Sequence, residues 1–133
     1  IEPYLVSSTV MAVLAQRLVR KICESCKTEI PAEPALLHEL GVPDKEHRQW
    51  KHLYKGVGCA QCKNTGYLGR RGIHELLVID DPIKKVLLQS NEANVIRQAA
   101  VANGMLSMRH HGIQLVKAGI TTPDEVISAT REE

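Results

Sequence analysis

The four cysteines of this 133-residue chain fall into two Cys-x-x-Cys pairs. Cys23 and Cys26 form the first pair, in the stretch CESCKTEI, and Cys59 and Cys62 form the second, in CAQCKNTGY. Two thiolates separated by two residues can both reach one metal ion, and two such pairs complete a tetrahedral zinc site. Four thiolates leave no coordination position open for water. The spacing therefore predicts one structural, non-catalytic Zn²⁺ bound by all four cysteines.

Two other uses of these cysteines compete with a zinc site, namely a redox-active dithiol and a pair of disulfides. A thioredoxin-like dithiol uses one pair and leaves the second unexplained. The sequence shows no secretory signal, so we expect a cytoplasmic chain, in which structural disulfides are rare. We therefore favour zinc over both alternatives.

Histidines are the other candidate ligands. His38, His47 and His52 lie between the two cysteine pairs, where one of them could in principle replace a cysteine. Because four thiolates already satisfy zinc, we interpret these three as exposed residues of the segment between Cys26 and Cys59, which we call the insert. His110 and His111 are adjacent in sequence, and adjacent side chains on a helix point in different directions. We interpret this pair as surface or partner-facing.

The elements that position the cysteines are predicted to be mainly helical. Val10, Leu14, Leu18 and Ile22 recur at helical spacing, which predicts a helix with its N-cap among residues 7–9 and its end at Ile22, directly before Cys23. We expect a mainly α fold with a small tetracysteine zinc-binding subdomain and one or two short strands. The predicted segments are a helix over 1–22, the zinc-binding subdomain over 23–72, and a short strand with a C-terminal helical lobe over 73–133.

Within these segments the patterns predict further elements. The insert reads as a short helix, a Gly-Val-Pro-Asp turn and a second polar helix, followed by a glycine-rich loop suited to positive φ angles. IHELLVI, at 73–79, is predicted to be a strand. Four helices follow, the first with Asp81 and Pro82 as N-cap and N1, the second capped by Ser90 or Asn91. A capping box at 122–125 opens the last helix. These helices do not depend on the metal, so we expect them to stay folded when Cys59 is replaced by serine.

Composition excludes several function classes. The net charge is only +2 and phenylalanine is absent, which argues against a nucleic-acid-binding surface. No apolar run approaches the roughly 20 residues of a membrane span. The sequence contains no phosphate loop and no strand ending in a magnesium-binding acid, so we expect this chain alone to catalyse nothing. It opens on IEPYLV without methionine, which we interpret as a piece of a longer protein.

Lys55, Lys63, Arg70 and Arg71 form a basic cluster in the sequence around the second cysteine pair. A solvated surface is the ordinary explanation for such residues. The alternative is contact with acidic lipid head groups or with an acidic face of a partner protein.

Three separated stretches carry a family resemblance: EPYLVSSTVMAVLAQRLVRKICESC, GCAQCKNTGYLGRRGIHELL and GMLSMRHHGIQLVKAGITTPDEVISATRE. In this order they resemble the C-terminal part of the GspE-type ATPases of type II secretion, whose close relatives are the PilB-type pilus-extension ATPases. GIHELL is closer to the GspE branch. The resemblance covers essentially the whole chain and includes the tetracysteine zinc site at Cys23, Cys26, Cys59 and Cys62.

The resemblance implies a partner set and a location. In such proteins a RecA-like core that binds ATP and Mg²⁺ precedes this region, and the protein assembles as a cytoplasmic homo-hexamer at the inner membrane. This chain would then be a non-catalytic domain that contacts neighbouring ATPase subunits, inner-membrane secretion platform proteins and acidic lipids, and no nucleic acid. Arg17 and Arg20 fall in a segment that in the family packs near the motor core, and we assign them no nucleotide role.

Three alternative functions remain at this point. The first is the equivalent domain of a type IV pilus extension ATPase. The second is a zinc-ribbon nucleic-acid-binding module, which the near-neutral charge and scarce aromatic residues disfavour. The third is a chaperone-like zinc module, because CAQCKNTGYLG faintly resembles the DnaJ cysteine repeats, although that pattern requires several copies.

Overall fold

The computed structural model describes residues 12–90 and 92–131. Over these residues the chain forms strands β1 (Ala12–Ile22) and β2 (Lys27–Pro31), helix α1 (Pro34–Leu40), a 3-10 helix (Asp44–Gln49), strands β3 (His52–Gly56) and β4 (Tyr67–Val78), and helices α2 (Asp81–Gln89), α3 (Ala93–Ala102), α4 (Met108–Lys117) and α5 (Pro123–Ala129). β1 pairs with β4, and β2 pairs with β3 in an antiparallel ladder.

The predicted N-terminal helix is wrong over residues 12–22, which form strand β1. Its supporting pattern, apolar residues four apart at Leu14, Leu18 and Ile22, fits both periods, because a spacing of four is also an even number of strand residues. Long-range pairing with β4 decides between them. The start of that predicted helix lies outside the described residues. The expected fold class is confirmed only in part: the described residues contain five α-helices and one 3-10 helix, but they also form four strands, two of which have 11 and 12 residues, where one or two short strands were expected.

The remaining elements agree better with the sequence patterns. The short helix of the insert is α1, and the second polar helix is the 3-10 helix. The strand predicted at 73–79 is the second half of β4, whose first half occupies part of the predicted loop. Asp80 rather than Asp81 caps α2, with its carboxylate accepting from the Ile83 N–H at 3.4 Å. For α3 the N-cap is Glu92, without a side-chain bond, and Asn91 lies outside the described residues.

The chain divides into two compact units. We call Ile1–Gln16 with His74–Met108 the helical unit, and Arg17–Ile73 with Arg109–Glu133 the cysteine unit. β1 and β4 each run from one unit into the other. These units differ from the predicted segments 1–22, 23–72 and 73–133, because the C-terminal helices are divided between the two units. The helical unit contains α2 and α3, whereas the cysteine unit contains nearly all of α4 and all of α5.

Each unit has its own apolar core. In the helical unit, residues of α2 and α3 pack with the end of β4, and the buried set is Ile79, Ile83, Leu87 and Ala100. In the cysteine unit, the insert and the last two helices share one core, whose buried members are Leu37, Leu40, Val42, Trp50, Leu53, Val116 and Val126. The insert between the cysteine pairs therefore does not form a subdomain by itself, since α4 and α5 supply part of its core.

Candidate metal centre

The four cysteine side chains converge on one point. Their Sγ atoms all lie within 4.8 Å of one another. Three of these distances are 3.8 Å: between Cys23 and Cys59, between Cys26 and Cys62, and between Cys59 and Cys62. A regular tetrahedron of sulfurs about 2.3 Å from a central zinc has edges of about 3.8 Å. All four cysteines are free, and these three distances are far longer than the S–S bond of a disulfide, which is about 2.05 Å.

The cysteines lie in the connections between strands. Cys23 directly follows β1 and Cys26 directly precedes β2, so the first pair occupies the turn between them. Cys59 and Cys62 lie in the connection from β3 to β4. Because β1 pairs with β4 and β2 with β3, both pairs come from connections at neighbouring strand ends. The cysteine unit therefore brings together residues that are 36 positions apart in sequence.

Backbone hydrogen bonds hold the two cysteine-bearing connections against each other. The Cys23 N–H donates to the carbonyl of Gly66 at 2.9 Å, and the Val57 N–H donates to the carbonyl of Cys26 at 3.2 Å. Each bond joins one connection to the other. The cluster is thus organised by the chain itself, and its buried members Cys23, Cys26 and Cys62 are at most 8% exposed.

Backbone N–H groups also point at the sulfurs. Gly58 donates to Cys26 Sγ at 3.3 Å, whereas Cys62 Sγ accepts from Cys59 at 3.4 Å and from Gly66 at 3.2 Å. Burial acts to raise the pKa of Cys62, but the N–H groups of Cys59 and Gly66 and the neighbouring thiols outweigh it and lower that pKa to about 6. Burial dominates at Cys26, where it raises the pKa to about 11 against the opposing bond from Gly58. The Cys62 thiol is therefore ionised to the thiolate at neutral pH, because its pKa lies below 7.

The tightest part of the site is a contact between two glycine backbones. A Cβ atom on Gly66 would overlap the carbonyl oxygen of Gly56, and a Cβ on Gly56 would lie 2.6 Å from the Gly66 Cα. Gly66 also has a φ of +83°, a conformation that side-chain-bearing residues rarely adopt. Sequence reasoning predicted positive φ angles in this loop but missed the close approach. The sequence carries no signal for this contact, because Gly56 and Gly66 lie on either side of the second cysteine pair and meet only in the folded chain.

Histidine takes no part in this cluster. His47 Nε2 lies 3.0 Å from the carbonyl oxygen of Val42, and His52 Nδ1 lies 3.8 Å from a carboxylate oxygen of Glu29. Across residues 12–90 and 92–131, the four cysteines are the one group of three or more potential ligands close enough to share a metal ion. His110 and His111 lie on α4.

The donor set fits Zn²⁺. Four sulfur atoms at near-tetrahedral separations are the ligand chemistry that structural zinc prefers, and the N–H groups that contact two of the sulfurs favour the thiolate form that binds metal. All four predicted ligands are thus brought together. The bound ion would link β1, β2 and the connection between β3 and β4, with no position left for a reacting water.

The four residues of the basic cluster do not form a comparable site. Lys55 is on β3, Lys63 lies in the turn after Cys62, and Arg70 and Arg71 are on β4, all of them exposed. Within the described part of the chain the structure records no ion pair for any of them. Over residues 12–90 and 92–131, no carboxylate therefore lies within ion-pair distance of these four side chains.

Arg17 and Arg20 both lie on β1 and not on a helix. The backbone N–H and the Nε of Arg20 donate to the same carboxylate oxygen of Glu125, at 2.8 and 2.7 Å. Its guanidinium carbon stands 4.1 Å from the centre of the Tyr67 ring. The bond to Glu125 is the largest cause of a raised pKa at Arg20. Arg20 therefore fastens α5 to β1, the strand that directly precedes Cys23, a role that the sequence did not indicate.

Among the helices in the described ranges, 12–90 and 92–131, none combines the length and apolar character that crossing a membrane requires.

Comparison with known proteins identifies the family. Residues 1–128 match the family described as type II/IV secretion system protein. The type IV pilus assembly ATPase PilB of Thermus thermophilus is 43% identical over 99% of this chain, and the match covers 15% of PilB. The type II secretion system protein HxcR of Pseudomonas aeruginosa is 40% identical over 99% of the chain, which covers 24% of HxcR. The type II secretion system ATPase E of Vibrio cholerae is 37% identical over 99% of the chain and matches over 25% of its own length.

These matches confirm the resemblance that the three sequence stretches indicated, and they include both the secretion and the pilus branch. The chain spans about a quarter or less of the length of these three relatives. Family membership itself follows from the match over nearly the whole chain. The chain belongs to the type II/IV secretion system protein family.

Proposed function

We propose that this chain is the non-catalytic, zinc-binding C-terminal domain of a type II secretion ATPase. In that role it supports assembly of a homo-hexamer and couples ATP-driven motion to inner-membrane partners during protein export. The observation that carries the proposal is the convergence of four cysteine sulfurs within 4.8 Å, in a chain related over 99% of its length to the type II secretion system ATPase E of Vibrio cholerae.

The mechanism is mechanical. A closed four-thiolate site offers no open position at which zinc could activate water, so the ion would serve to fix backbone segments. ATP and Mg²⁺ would be handled by a core elsewhere in the full-length protein, because the relatives are about four or more times longer than the matched region. The zinc-bound cysteine unit would then transmit motion as a rigid part.

The proposed location is the cytoplasm, at the periphery of the inner membrane. The support comes from Lys55, Lys63, Arg70 and Arg71, which are exposed and without ion pairs in the described residues. Each basic residue near an anionic leaflet contributes about 1 kcal/mol of binding free energy. Four such residues would give a salt-sensitive attraction to acidic lipids, which biases orientation without anchoring the chain. An acidic face of a secretion platform protein offers the same charge complementarity.

Metal content is the first test. The purified chain should contain one zinc per molecule, measured by elemental analysis and by colorimetric release with a thiol-reactive mercurial. Cys59→Ser should abolish stoichiometric binding, because it removes one of four ligands. Ser25→Ala is the matched control, since Ser25 is exposed between Cys23 and Cys26 without being a ligand. A chain without metal, or two variants with equal zinc content, would refute the zinc site.

Charge reversal in the full-length ATPase tests the partner proposal. Reversing the basic cluster should reduce secretion and the stimulation of ATP hydrolysis by vesicles rich in acidic lipid. The control reverses four other exposed basic residues, which carry the same charge: Lys45, Arg48, Lys51 and Lys85. If stimulation and secretion fall equally in both variants, or in neither, with zinc and hexamer assembly intact, the cluster is ordinary surface. Loss of secretion alone would favour a protein partner over lipid.

A second candidate is the equivalent domain of a type IV pilus assembly ATPase. The observation that favours it is the 43% identity to the PilB protein of Thermus thermophilus. Exchange experiments separate the two candidates. If the domain comes from a type II secretion ATPase, it should restore export when it replaces its counterpart in such an ATPase. If it comes from a pilus assembly ATPase, it should restore twitching motility when it replaces its counterpart in PilB.

A further inference from the structure

The residues that lead into the first cysteine pair contact the loop that joins α4 to α5. The Ile22 N–H donates to the carbonyl of Ile120 at 2.9 Å. The hydroxyl of Thr121, which is fully buried, donates to the carbonyl of Arg20 at 2.8 Å. Ile22 is the residue immediately before Cys23. Any force that fixes Cys23 in place therefore also fixes the strand end on which the α4–α5 loop rests.

The second cysteine pair is connected to the same loop through Tyr67. The hydroxyls of Tyr67 and Thr122 lie 2.9 Å apart. Tyr67 immediately follows Gly66, whose N–H donates to Cys62 Sγ and whose carbonyl accepts from the Cys23 N–H. Tyr67, which contacts the α5 N-cap residue Thr122, is therefore the direct neighbour in the chain of Gly66, whose backbone contacts both cysteine pairs.

A charged contact continues this interface onto α5. The Glu125 carboxylate, whose side chain is 15% exposed, accepts two hydrogen bonds from Arg20, three residues before Cys23. A charge-assisted bond of this kind is stronger than one between neutral groups. The Glu125 side chain is the acceptor that a capping box would use locally, and here it is bonded instead across 105 residues of sequence.

Apolar packing and a close contact complete the interface. Val116 of α4 and Val126 of α5 are both fully buried in the core that they share with the insert. A Cβ on Gly119 would lie 2.8 Å from the Nζ of Lys27, so the end of α4 lies against the residue after Cys26. The neighbours of Cys23 and Cys26 in the chain, together with Tyr67, therefore contact the segment from α4 to α5.

We infer that metal binding by the four cysteines and docking of α4 and α5 are a single linked equilibrium. The metal would immobilise the chain at residues 20–23, 26–27 and 66–67, and these ranges include the residues that contact the segment from α4 to α5. The free energy that favours metal binding then also favours docking, and the coupling is reciprocal: loss of docking contacts weakens metal binding by the same factor. The inference rests on the proposed zinc site. It adds that metal binding stabilises the docking of α4 and α5, which a metal that only linked the two cysteine pairs would not do.

Amide hydrogen exchange on the 133-residue chain tests the coupling directly. Removal of zinc by a chelator should speed exchange in α4 and α5 by at least about fivefold, the lower end of typical coupling. The amides of α2 and α3 belong to the helical unit and serve as the internal control, where we expect no comparable change. Zinc content is measured in parallel. If zinc is stoichiometric and its removal leaves α4 and α5 as protected as before, the coupling is refuted while the zinc site stands. A chain that binds no zinc overturns both.

The reciprocal effect is tested on zinc affinity by chelator competition. Thr121→Val removes one hydrogen bond to the strand before Cys23 and preserves side-chain shape, so it should weaken zinc binding about fivefold. Asn103→Ala removes a 2.7 Å bond to Asp80 within the helical unit and should change the affinity less than about twofold. Equal affinities in the two variants would overturn the coupling. The wild-type exchange experiment decides the question if Thr121→Val fails to fold.

Discussion

Substituting alanine for Gly66 should cause the largest stability loss of any single glycine change near the metal centre. Two independent penalties apply at this position. Its φ of +83° costs a side-chain-bearing residue about 1–2 kcal/mol. The new methyl group would also overlap the Gly56 carbonyl, and overpacking typically costs about 1–3 kcal/mol. The obstructing atoms belong to backbone and cannot rotate away, so we expect a total of about 2–5 kcal/mol.

Two companion variants separate these penalties within the cysteine unit. Gly69→Ala has a φ of +87° but meets only the Lys21 side chain at 3.6 Å, so it carries the dihedral penalty without a clash. Gly56→Ala carries the clash, with its Cβ 2.7 Å from the Gly66 carbonyl carbon, and has no positive φ. The expected order of destabilisation is Gly66→Ala first, with the two single-penalty variants about 1–3 kcal/mol each.

The assay is urea unfolding followed by the fluorescence of Trp50, the single tryptophan, which is buried in the core of the cysteine unit. Zinc content is measured on each variant, because the Gly66 N–H donates to Cys62 Sγ. The reasoning fails if Gly66→Ala and Gly69→Ala have the same unfolding midpoint, since the close backbone approach would then carry no free energy.

Three further predictions concern the rest of the chain. Glu75→Gln should destabilise the helical unit by about 1.5–3 kcal/mol, because the buried carboxylate accepts from Arg97 at 2.7 Å and from the Met108 N–H; chemical denaturation checks this, and an unchanged midpoint contradicts it. Gly112→Ala should lower the free energy of unfolding by about 1–3 kcal/mol, because its Cβ would lie 2.5 Å from a Val126 methyl. The double variant Gly112→Ala/Val126→Ala should lose less stability than the sum of the two single variants, and thermal denaturation of all three variants measures this. Zinc affinity should fall on acidification: the pKa of Cys62 is about 6, below the ordinary value for a thiol, so its thiolate is present above that pH and lost below it. The slope of log Kd against pH should therefore steepen by about one unit below pH 6, whereas a constant slope from about pH 8 to 5 would contradict the assignment.

The sequence was most informative where structure depends on short-range spacing. Cys-x-x-Cys geometry is local, so two such pairs identified all four members of the cluster without knowledge of the fold. The cap at Thr122 is also local, and its hydroxyl accepts from the Glu125 N–H at 3.3 Å as the capping box predicts. The other half of that box was not predictable, because the Glu125 carboxylate is bonded to Arg20, 105 residues away.

Long-range pairing decided what the local pattern left open. The segment ending at Ile22 has apolar residues at a spacing that fits a helix and a strand equally, and pairing with β4 makes it a strand. The contact between Gly56 and Gly66 likewise depends on two strand ends meeting, and no window of sequence contains that information. Short-range signals therefore identified the four cysteines of the cluster, whereas the scaffold that brings them together required tertiary structure.

The division into units changes what should happen when Cys59, one of the four proposed metal ligands, is replaced. The sequence alone predicts that all the C-terminal helices stay folded in Cys59→Ser. The core of α2 and α3 contains no residue of the insert, so these helices should keep their amide protection. Val116 of α4 and Val126 of α5 instead complete the core around Trp50, so α4 and α5 should lose protection together with the insert. Hydrogen exchange of Cys59→Ser, compared with Ser25→Ala, measures this directly. Retained protection in all four helices would mean that the shared core holds without the metal, and loss in all four would mean that the helical unit has no stability of its own.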